Sequence, residues 1–167
     1  LTMAPTRLRE RVLYLIDRER RRAEAGQAAE IRAKMNALVD EDIIRALYEA
    51  SKAGVKIRLN VRGICCLRPG VKGTSENIEV VSIVDRFLEH ARIFRFENAG
   101  EPEYFIGSAD WRTRNLSRRV EAAAPVRDAA HRARLDALLD AEWNAPDAWE
   151  LGPDGTHYQR PERPPRA

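Results

Sequence analysis

The sequence is poor in the residues that crosslink a chain or bind metal. It has 167 residues but two cysteines, and these are neighbours, Cys65 and Cys66, between which a disulfide would be strained. Its three histidines are scattered and no CxxC spacing occurs, so no metal site is expected. We expect both cysteines to be reduced, buried thiols of a cytoplasmic protein.

Long apolar runs are also missing. None approaches the roughly 18–20 residues that cross a bilayer, so no transmembrane segment is expected. The chain opens Leu1-Thr2-Met3 without an apolar signal segment, which argues against secretion. We therefore expect a cytoplasmic protein, with peripheral association with a membrane as an alternative. Because the first residue is not methionine, we also expect the chain to be a fragment of a longer protein.

Lysine is scarce, with four residues against 25 arginines, and the net charge is +3. The planar guanidinium group suits bidentate contacts with phosphate or carboxylate. Biased codon usage would explain the arginines equally well, so the composition permits a polyanionic partner without requiring one. A length of 167 residues fits one domain with its own buried core.

Hydrophobic spacing divides the chain into three parts. Residues 8–16 have apolar side chains at helical spacing and predict an N-terminal helix, within a lead-in over residues 1–28. Residues 29–145 predict an α/β domain. From Pro146 onward proline, glycine and arginine predominate, so residues 146–167 are predicted to be a disordered tail.

A βαβ unit is the best-defined feature of the central part. Alternating residues predict strands over 31–38 and 55–61. Asp40 is placed to cap a helix between them. The order strand, helix, strand predicts two parallel strands with a right-handed crossover.

Further elements follow in the order strand, turn, hairpin, strand and helix. A strand is predicted at residues 78–84, a helical turn at 85–90, a hairpin of strands 92–96 and 104–107, a further strand at 120–125 and a helix at 128–143. That last helix has Leu135, Leu138, Leu139 and Trp143 at helical spacing. The fold class is therefore α/β, with a mixed β-sheet flanked by helices.

Two places on this sheet are candidates for phosphate chemistry. Arg62 follows the second parallel strand, where ligands collect in α/β sheets, although a salt bridge to a neighbouring acid is an equal alternative. In the hairpin, His90 and Arg92 precede one strand while Gly107-Ser108 ends the next, so His90 and Ser108 are expected at one sheet edge. Imidazole can transfer a proton at a phosphoryl oxygen and arginine can neutralise its charge, although a lone histidine is more often structural.

The segment 110–121 is rich in arginine, with acids at both ends. Its four arginines are Arg112, Arg114, Arg118 and Arg119. They predict either a surface that binds anions or a network of arginine–carboxylate pairs that braces the loop.

Four motifs resemble the C-terminal domain of polyphosphate kinase. They are residues 34–40 (KMNALVD), 61–67 (VRGICCL), 82–90 (SIVDRFLEH) and 108–115 (SADWRTRN). The resemblance covers about Pro5 to Trp143 and implies the second of two phospholipase D-like domains, with Arg92 where phospholipase D has lysine. It implies reversible transfer of the ATP γ-phosphate to polyphosphate, through a phosphohistidine in a preceding domain that this chain lacks.

The resemblance also implies roles for particular residues. Arg62 matches an arginine that binds nucleotide phosphate, His90 a second active-site histidine, and Glu121 a glutamate of the active-site tunnel. Arg92 and Arg114 are further candidates for phosphate contacts. Mg²⁺ is implied for the whole enzyme, with ligands outside this chain.

The implied partners are ATP or ADP, polyphosphate, the preceding catalytic domain, and further copies of the full-length enzyme. The isolated chain is expected to be inactive. Two alternatives remain: a non-catalytic module that binds polyphosphate or nucleic acid, and a phospholipase D-like phosphodiesterase completed by pairing of two copies.

Overall fold

A computed structural model describes residues 1–84 and 88–160. In chain order its strands are β1 (Thr2–Met3), β2 (Glu30–Met35), β3 (Lys56–Val61), β4 (Ile78–Ser82), β5 (Ile93–Phe96), β6 (Glu103–Gly107), β7 (Ala122–Val126), β8 (Trp149–Leu151) and β9 (His157–Gln159). The helices are α1 (Leu8–Glu24), α2 (Glu41–Lys52), α3 (Thr113–Arg118) and α4 (Ala129–Trp143). The described strands form one mixed sheet in the order β1-β7-β6-β5-β2-β3-β4-β8-β9.

The βαβ prediction is confirmed at the centre of the sheet. β2 and β3 are parallel neighbours, with Ile31 opposite Ile57 and Met35 opposite Val61. The side chain of Asp40 accepts a hydrogen bond from the Ile43 backbone N–H and thereby caps α2, as its position predicted. β4 continues the parallel set, so β2, β3 and β4 end at the same edge.

The predicted hairpin is also confirmed. β5 and β6 are antiparallel, with Ile93 opposite Ile106, and Gly107 N–H donates to the Arg92 carbonyl at 3.2 Å. β5 in turn pairs antiparallel with β2. The start of β5 and the end of β6 therefore lie at the same sheet edge as the ends of β2 and β3.

The two faces of the sheet differ in chemistry. On one face, alternate β2 residues such as Ile31 and Met35 join the core with α1 and α2. The lead-in helix therefore belongs to the same core as the sheet. On the other face, Arg32 and Arg95 form ion pairs with Asp136, an α4 residue.

The helix predicted at residues 128–143 is confirmed as α4, but its apolar side chains are buried only in part. Of its residues only Leu139 is buried, and Leu138 is 38% exposed. Its acidic side chains also hold it to the sheet, because Asp140 pairs with Arg32 and Glu142 pairs with Lys34.

The disordered tail predicted from residue 146 is wrong over residues 149–159, which form β8 and β9. β8 pairs with β4, and Arg160 binds the Glu150 carboxylate and the carbonyls of Trp143 and Ala145. This backbone pairing and a partly buried ion pair order the segment despite its content of proline, glycine and arginine. Residues 161–167 lie outside the described part of the chain. So do residues 85–87 of the predicted turn, and residues 88–90 are not helical.

Within residues 1–84 and 88–160, none of the helices combines the length and apolarity that crossing a membrane requires.

Candidate functional site

Three loops meet where the parallel strands end. Leu38, in the loop after β2, forms bridges with Cys65 on one side and with Trp111 on the other. Its N–H donates to the Ile64 carbonyl at 2.9 Å, and the Val39 N–H donates to the Trp111 carbonyl at 2.9 Å. The loops after β2, β3 and β6 are thereby held together, and the segment leading into β5 joins them through the hairpin.

A continuous hydrogen-bonded network crosses this edge from Arg62 to His90. Arg62 Nε donates to Asn36 Oδ1 at 3.0 Å, and the Asn36 N–H donates to Asp110 Oδ1 at 2.7 Å. Arg92 donates to Asp110 from both Nε and Nη2, at 3.1 and 3.2 Å. Arg92 Nη1 then donates to the His90 carbonyl at 2.8 Å and lies 2.9 Å from His90 Nδ1. The two places that the sequence singled out separately are thus one site.

Arg62 has no ion pair with the described residues, so the predicted alternative of a salt bridge is not observed there. Its position depends on the glycine that follows it, since a Cβ on Gly63 would lie 2.9 Å from the Asn36 carbonyl oxygen. A larger residue would push the two loops apart. The guanidinium is partly exposed, with Nη1 and Nη2 left for a ligand.

His90 and Arg92 have different environments. The imidazole is exposed, and its contacts in the described structure are with Arg92. The Arg92 side chain is 10% exposed and is neutralised by Asp110, which is 11% exposed. The His90 imidazole is therefore accessible to a ligand, and the buried Arg92 side chain holds it in place through hydrogen bonds.

Ser108 shares the sheet edge as expected but does not face His90. Its hydroxyl accepts a hydrogen bond from the Ala122 N–H at 3.2 Å, which turns it toward β7.

Glu121 is buried and accepts a hydrogen bond from Asn115 Nδ2 at 2.9 Å. The contact orients the carboxylate without neutralising it, because the amide carries no charge.

Of the two alternatives for segment 110–121, the network of arginine–carboxylate pairs is not formed by the described residues. Asp110 binds Arg92 and Glu121 binds Asn115, so both acids are taken by other partners. Arg114, Arg118 and Arg119 are exposed, Arg112 is partly exposed, and none pairs with a described carboxylate. Among the described residues these four, here called the α3 arginine cluster, have no counter-charge and can meet an anion.

The cysteines beside the site are unlike one another. Burial raises the pKa of the Cys65 thiol to about 11, so it stays protonated at neutral pH and is a poor nucleophile. Cys66 is exposed, contrary to the expectation that both thiols are buried.

No set of three or more histidine, cysteine, aspartate or glutamate side chains in the described ranges could hold a metal ion. The carboxylate of Asp110, which is nearest the network, is taken up by Arg92 and Asn36. The residues present therefore do not fit a Mg²⁺ site.

Asn36 and Asp110 are functional candidates that the sequence reasoning missed. Each is a polar residue just after a strand that ends at this edge, which is the signal that could have identified them. Together with Arg62 and His90 they form a surface with one partly exposed guanidinium group, that of Arg62, and an open imidazole. Such a surface can bind a phosphoryl group and exchange a proton with it.

The chain matches known proteins over its full length. The sequence model of the family "Polyphosphate kinase C-terminal domain 2" matches residues 1–167. The polyphosphate kinase of Thermosynechococcus vestitus is 56% identical over 168 residues, covering 100% of this chain and 23% of that protein. That of Rhodopirellula baltica is 60% identical over 161 residues, covering 96% of this chain and 19% of that protein.

Solved structures agree with these matches. The crystal structure of polyphosphate kinase from Porphyromonas gingivalis superposes with a TM-score of 0.91 at 39% identity, over 99% of this chain and 26% of that one. The phospholipase D family member Nuc from Salmonella typhimurium superposes with a TM-score of 0.62 at 18% identity, over 94% of this chain and 95% of that one, which shows a phospholipase D-like fold.

This chain spans about a quarter or less of the length of the polyphosphate kinases it matches. The resemblance carried by its four motifs is confirmed: the chain belongs to the polyphosphate kinase C-terminal domain 2 family.

Proposed function

We propose that this chain is the second catalytic half of a polyphosphate kinase, which reversibly transfers the ATP γ-phosphate to inorganic polyphosphate. The network that joins Arg62 to His90 carries the proposal, because it presents cations and an open imidazole together at one strand edge. The phosphohistidine of the reaction lies in a preceding catalytic domain, so the chain alone is inactive. Its location is the cytoplasm, with or without peripheral attachment to a membrane.

Each residue has a distinct part in this mechanism. The bond between the γ-phosphorus and its bridging oxygen breaks, the phosphoryl group passes to the histidine of the preceding domain, and ADP leaves. His90 gives a proton to the departing oxygen, and Arg62 neutralises the nucleotide phosphates. In the second step the terminal oxygen of polyphosphate attacks the phosphorus, the P–N bond of the phosphohistidine breaks, and the free histidine is regenerated.

The remaining candidates do not contact the transferred phosphoryl group. Glu121 and Arg114 line the path of polyphosphate, and Arg92 aligns His90 with the phosphates. The whole enzyme uses Mg²⁺ on residues outside this chain, and further copies of the enzyme assemble with it.

A chimeric enzyme tests the proposal. In it, this chain replaces the matching residues of the T. vestitus polyphosphate kinase, to which it is 56% identical. We expect the chimera to make polyphosphate from ATP, and Arg62→Ala or His90→Ala to lower kcat/KM by about a hundredfold or more, since each removes a group that stabilises transferred charge. Product length and released ADP are the readouts.

Arg134→Ala is the matched control, because Arg134 is an exposed arginine on α4 without a described ion pair. It should leave kcat/KM within about twofold. Robust polyphosphate synthesis by the 167-residue chain alone, or a fully active His90→Ala chimera, would contradict the proposal.

The α3 arginine cluster favours a second candidate function, a non-catalytic polyanion-binding module. Its charges are unpaired among the described residues, and Arg114 and Arg118 lie one turn apart, where like charges repel without a bound anion. In this alternative the cluster alone holds polyphosphate or nucleic acid, and Arg62 and His90 are not needed.

Salt dependence of binding separates the two functions. If the cluster holds the anion, Arg114→Gln/Arg118→Gln should reduce the slope of log K against log salt for long-chain polyphosphate by about two. Arg127→Gln/Arg134→Gln removes two exposed arginines elsewhere and should change it little. Binding that is instead lost in Arg62→Ala and His90→Ala would rule out the non-catalytic module.

A further inference from the structure

A buried lysine lies directly behind the His90 segment. Lys34 is 3% exposed and projects from β2 on the sheet face that α4 covers. Its Nζ lies 2.5 Å from Glu142 Oε1 on α4 and 3.2 Å from Glu89 Oε2. Burying an ammonium group is costly unless it is paired, and the Glu142 carboxylate already supplies the counter-charge.

The two carboxylates have unequal structural roles. Glu142 is 16% exposed and is held a second time by Asn60 Nδ2, at 2.7 Å from its other oxygen. Asn60 lies opposite Lys34 in the β2–β3 register, so α4 is attached to two strands even without Glu89. Glu89 is 43% exposed, and a half-exposed ion pair adds little stability. Stabilising α4 therefore does not account for the Lys34–Glu89 contact.

The Lys34–Glu89 contact fixes the chain immediately before His90. His90 lies in a segment without helical or strand structure at residues 88–92. On its C-terminal side this segment is held by Arg92, which binds Asp110 and the His90 carbonyl. On its N-terminal side the described contact is the one between Glu89 and Lys34. His90 thus lies between two ion pairs, Lys34–Glu89 and Arg92–Asp110, and each of them involves a residue at the end of a different strand.

We propose that Lys34, acting through Glu89, is a positioning residue for His90 in the transfer of the γ-phosphoryl group; the inference rests on that proposed function. Neither Lys34 nor Glu89 needs to touch the substrate. Their ion pair orders the backbone of residues 89–91, so that the exposed imidazole stays within reach of the departing oxygen. An imidazole displaced by about 1 Å loses much of its effect on the reaction rate.

Kinetics of the chimeric enzyme test the role in catalysis. Glu89→Ala should lower kcat by about tenfold to a hundredfold while the KM for ATP changes less than about twofold, because positioning matters most in the transition state. Glu89→Gln keeps an acceptor for Lys34 and should recover most of the loss. Glu49→Ala is the control, since Glu49 is an exposed glutamate paired with Lys52 at 2.8 Å on α2.

Backbone ¹⁵N relaxation of the 167-residue chain tests the tether without activity. In the unmodified chain the amides of residues 89–91 should have order parameters of about 0.85, and in Glu89→Ala they should fall below about 0.6 while β2 and β3 stay rigid. Lys34→Met should loosen the same amides and also the last turn of α4.

The outcomes distinguish failure of this inference from failure of the proposed kinase function. Unchanged order parameters in Glu89→Ala would overturn the tether, and a loosened segment with unchanged kcat would overturn the positioning role. If the unmodified chimera makes no polyphosphate, the proposed function fails, and the relaxation data still decide whether Lys34 orders the His90 segment.

Discussion

Replacing Asp110 by alanine is expected to destabilise the chain by about 3–5 kcal/mol. Its side chain and that of Arg92 are 11% and 10% exposed, so the substitution leaves a guanidinium buried without its counter-charge. It also removes the acceptor of the Asn36 N–H, which is 2.7 Å from Asp110 Oδ1. Both losses fall on the same edge of the sheet, so the links from Arg62 and from His90 are broken together.

Asp110→Asn should have a smaller effect, about 1–3 kcal/mol. One amide oxygen can still accept from the Asn36 N–H, but the amide nitrogen faces the Arg92 guanidinium as a second donor. Urea denaturation followed by circular dichroism measures both values, provided that the denaturant dependence m is unchanged.

Asp147→Ala is the matched control, because Asp147 is an exposed aspartate with no described ion pair. Its substitution should change stability by less than about 0.5 kcal/mol. Equal midpoints for Asp110→Ala and Asp147→Ala would contradict the view that Asp110 is the structural centre of the site.

The elements that the sequence predicted are those whose signals are local. The α2 helix has its cap at Asp40 and an apolar stripe of Ile43, Ile44 and Leu47, all within a few residues of one another. The β5–β6 hairpin joins two alternating segments by a short turn. Such patterns are read from neighbouring residues.

The errors arise where the partner is distant in the chain. Arg32 on β2 pairs with Asp140 on α4, 108 positions away, so α4 needs acids where an apolar contact was expected. β8 is an ordinary short strand only because β4 offers a free edge beside it. Neither fact is visible in the composition of residues 129–160.

The site was predicted in two halves for the same reason. Arg62 and His90 are each marked by a strand end or a motif, but the link between them runs through Asn36 and Asp110, which are 74 positions apart. Their contact depends on β5 pairing with β2, a choice that local spacing does not determine. The exposed α3 arginine cluster shows the converse, since a dense charge pattern predicted a network that the fold does not form.

Replacing Asp40 by alanine is the second large effect, with an expected loss of about 3–5 kcal/mol. Asp40 is 1% exposed and connects three helices. It caps α2 through the Ile43 N–H, pairs with Arg9 of α1 at 3.2 Å, and accepts from Thr113 Oγ1 of α3 at 3.2 Å. For a chain of this size the melting temperature should fall by roughly 6–20 °C.

Asp128→Ala separates capping from the other contacts. Asp128 caps α4 in the same way, accepting from the His131 N–H at 2.9 Å, but it is exposed. Its loss should lower stability much less than Asp40→Ala does, because only a helix cap is removed. Asp40→Asn, which keeps a good cap but removes the charge opposite Arg9, should fall between the two.

A double-mutant cycle with Arg9→Ala then isolates the ion pair. Because Asp40 is buried and Arg9 is 31% exposed, we expect a coupling energy of about 1–3 kcal/mol between them. If Asp40→Ala costs no more than Asp128→Ala, the contacts with Arg9 and Thr113 contribute nothing and the junction is a simple cap. If it costs several times more, the side-chain contacts stabilise the junction, and the one with Thr113 ties it to the end of the loop after β6, which the Asp40 N–H also holds through the Trp111 carbonyl at 3.0 Å. Trp111 directly follows Asp110, so the candidate site would then depend on the same contacts that join the helices.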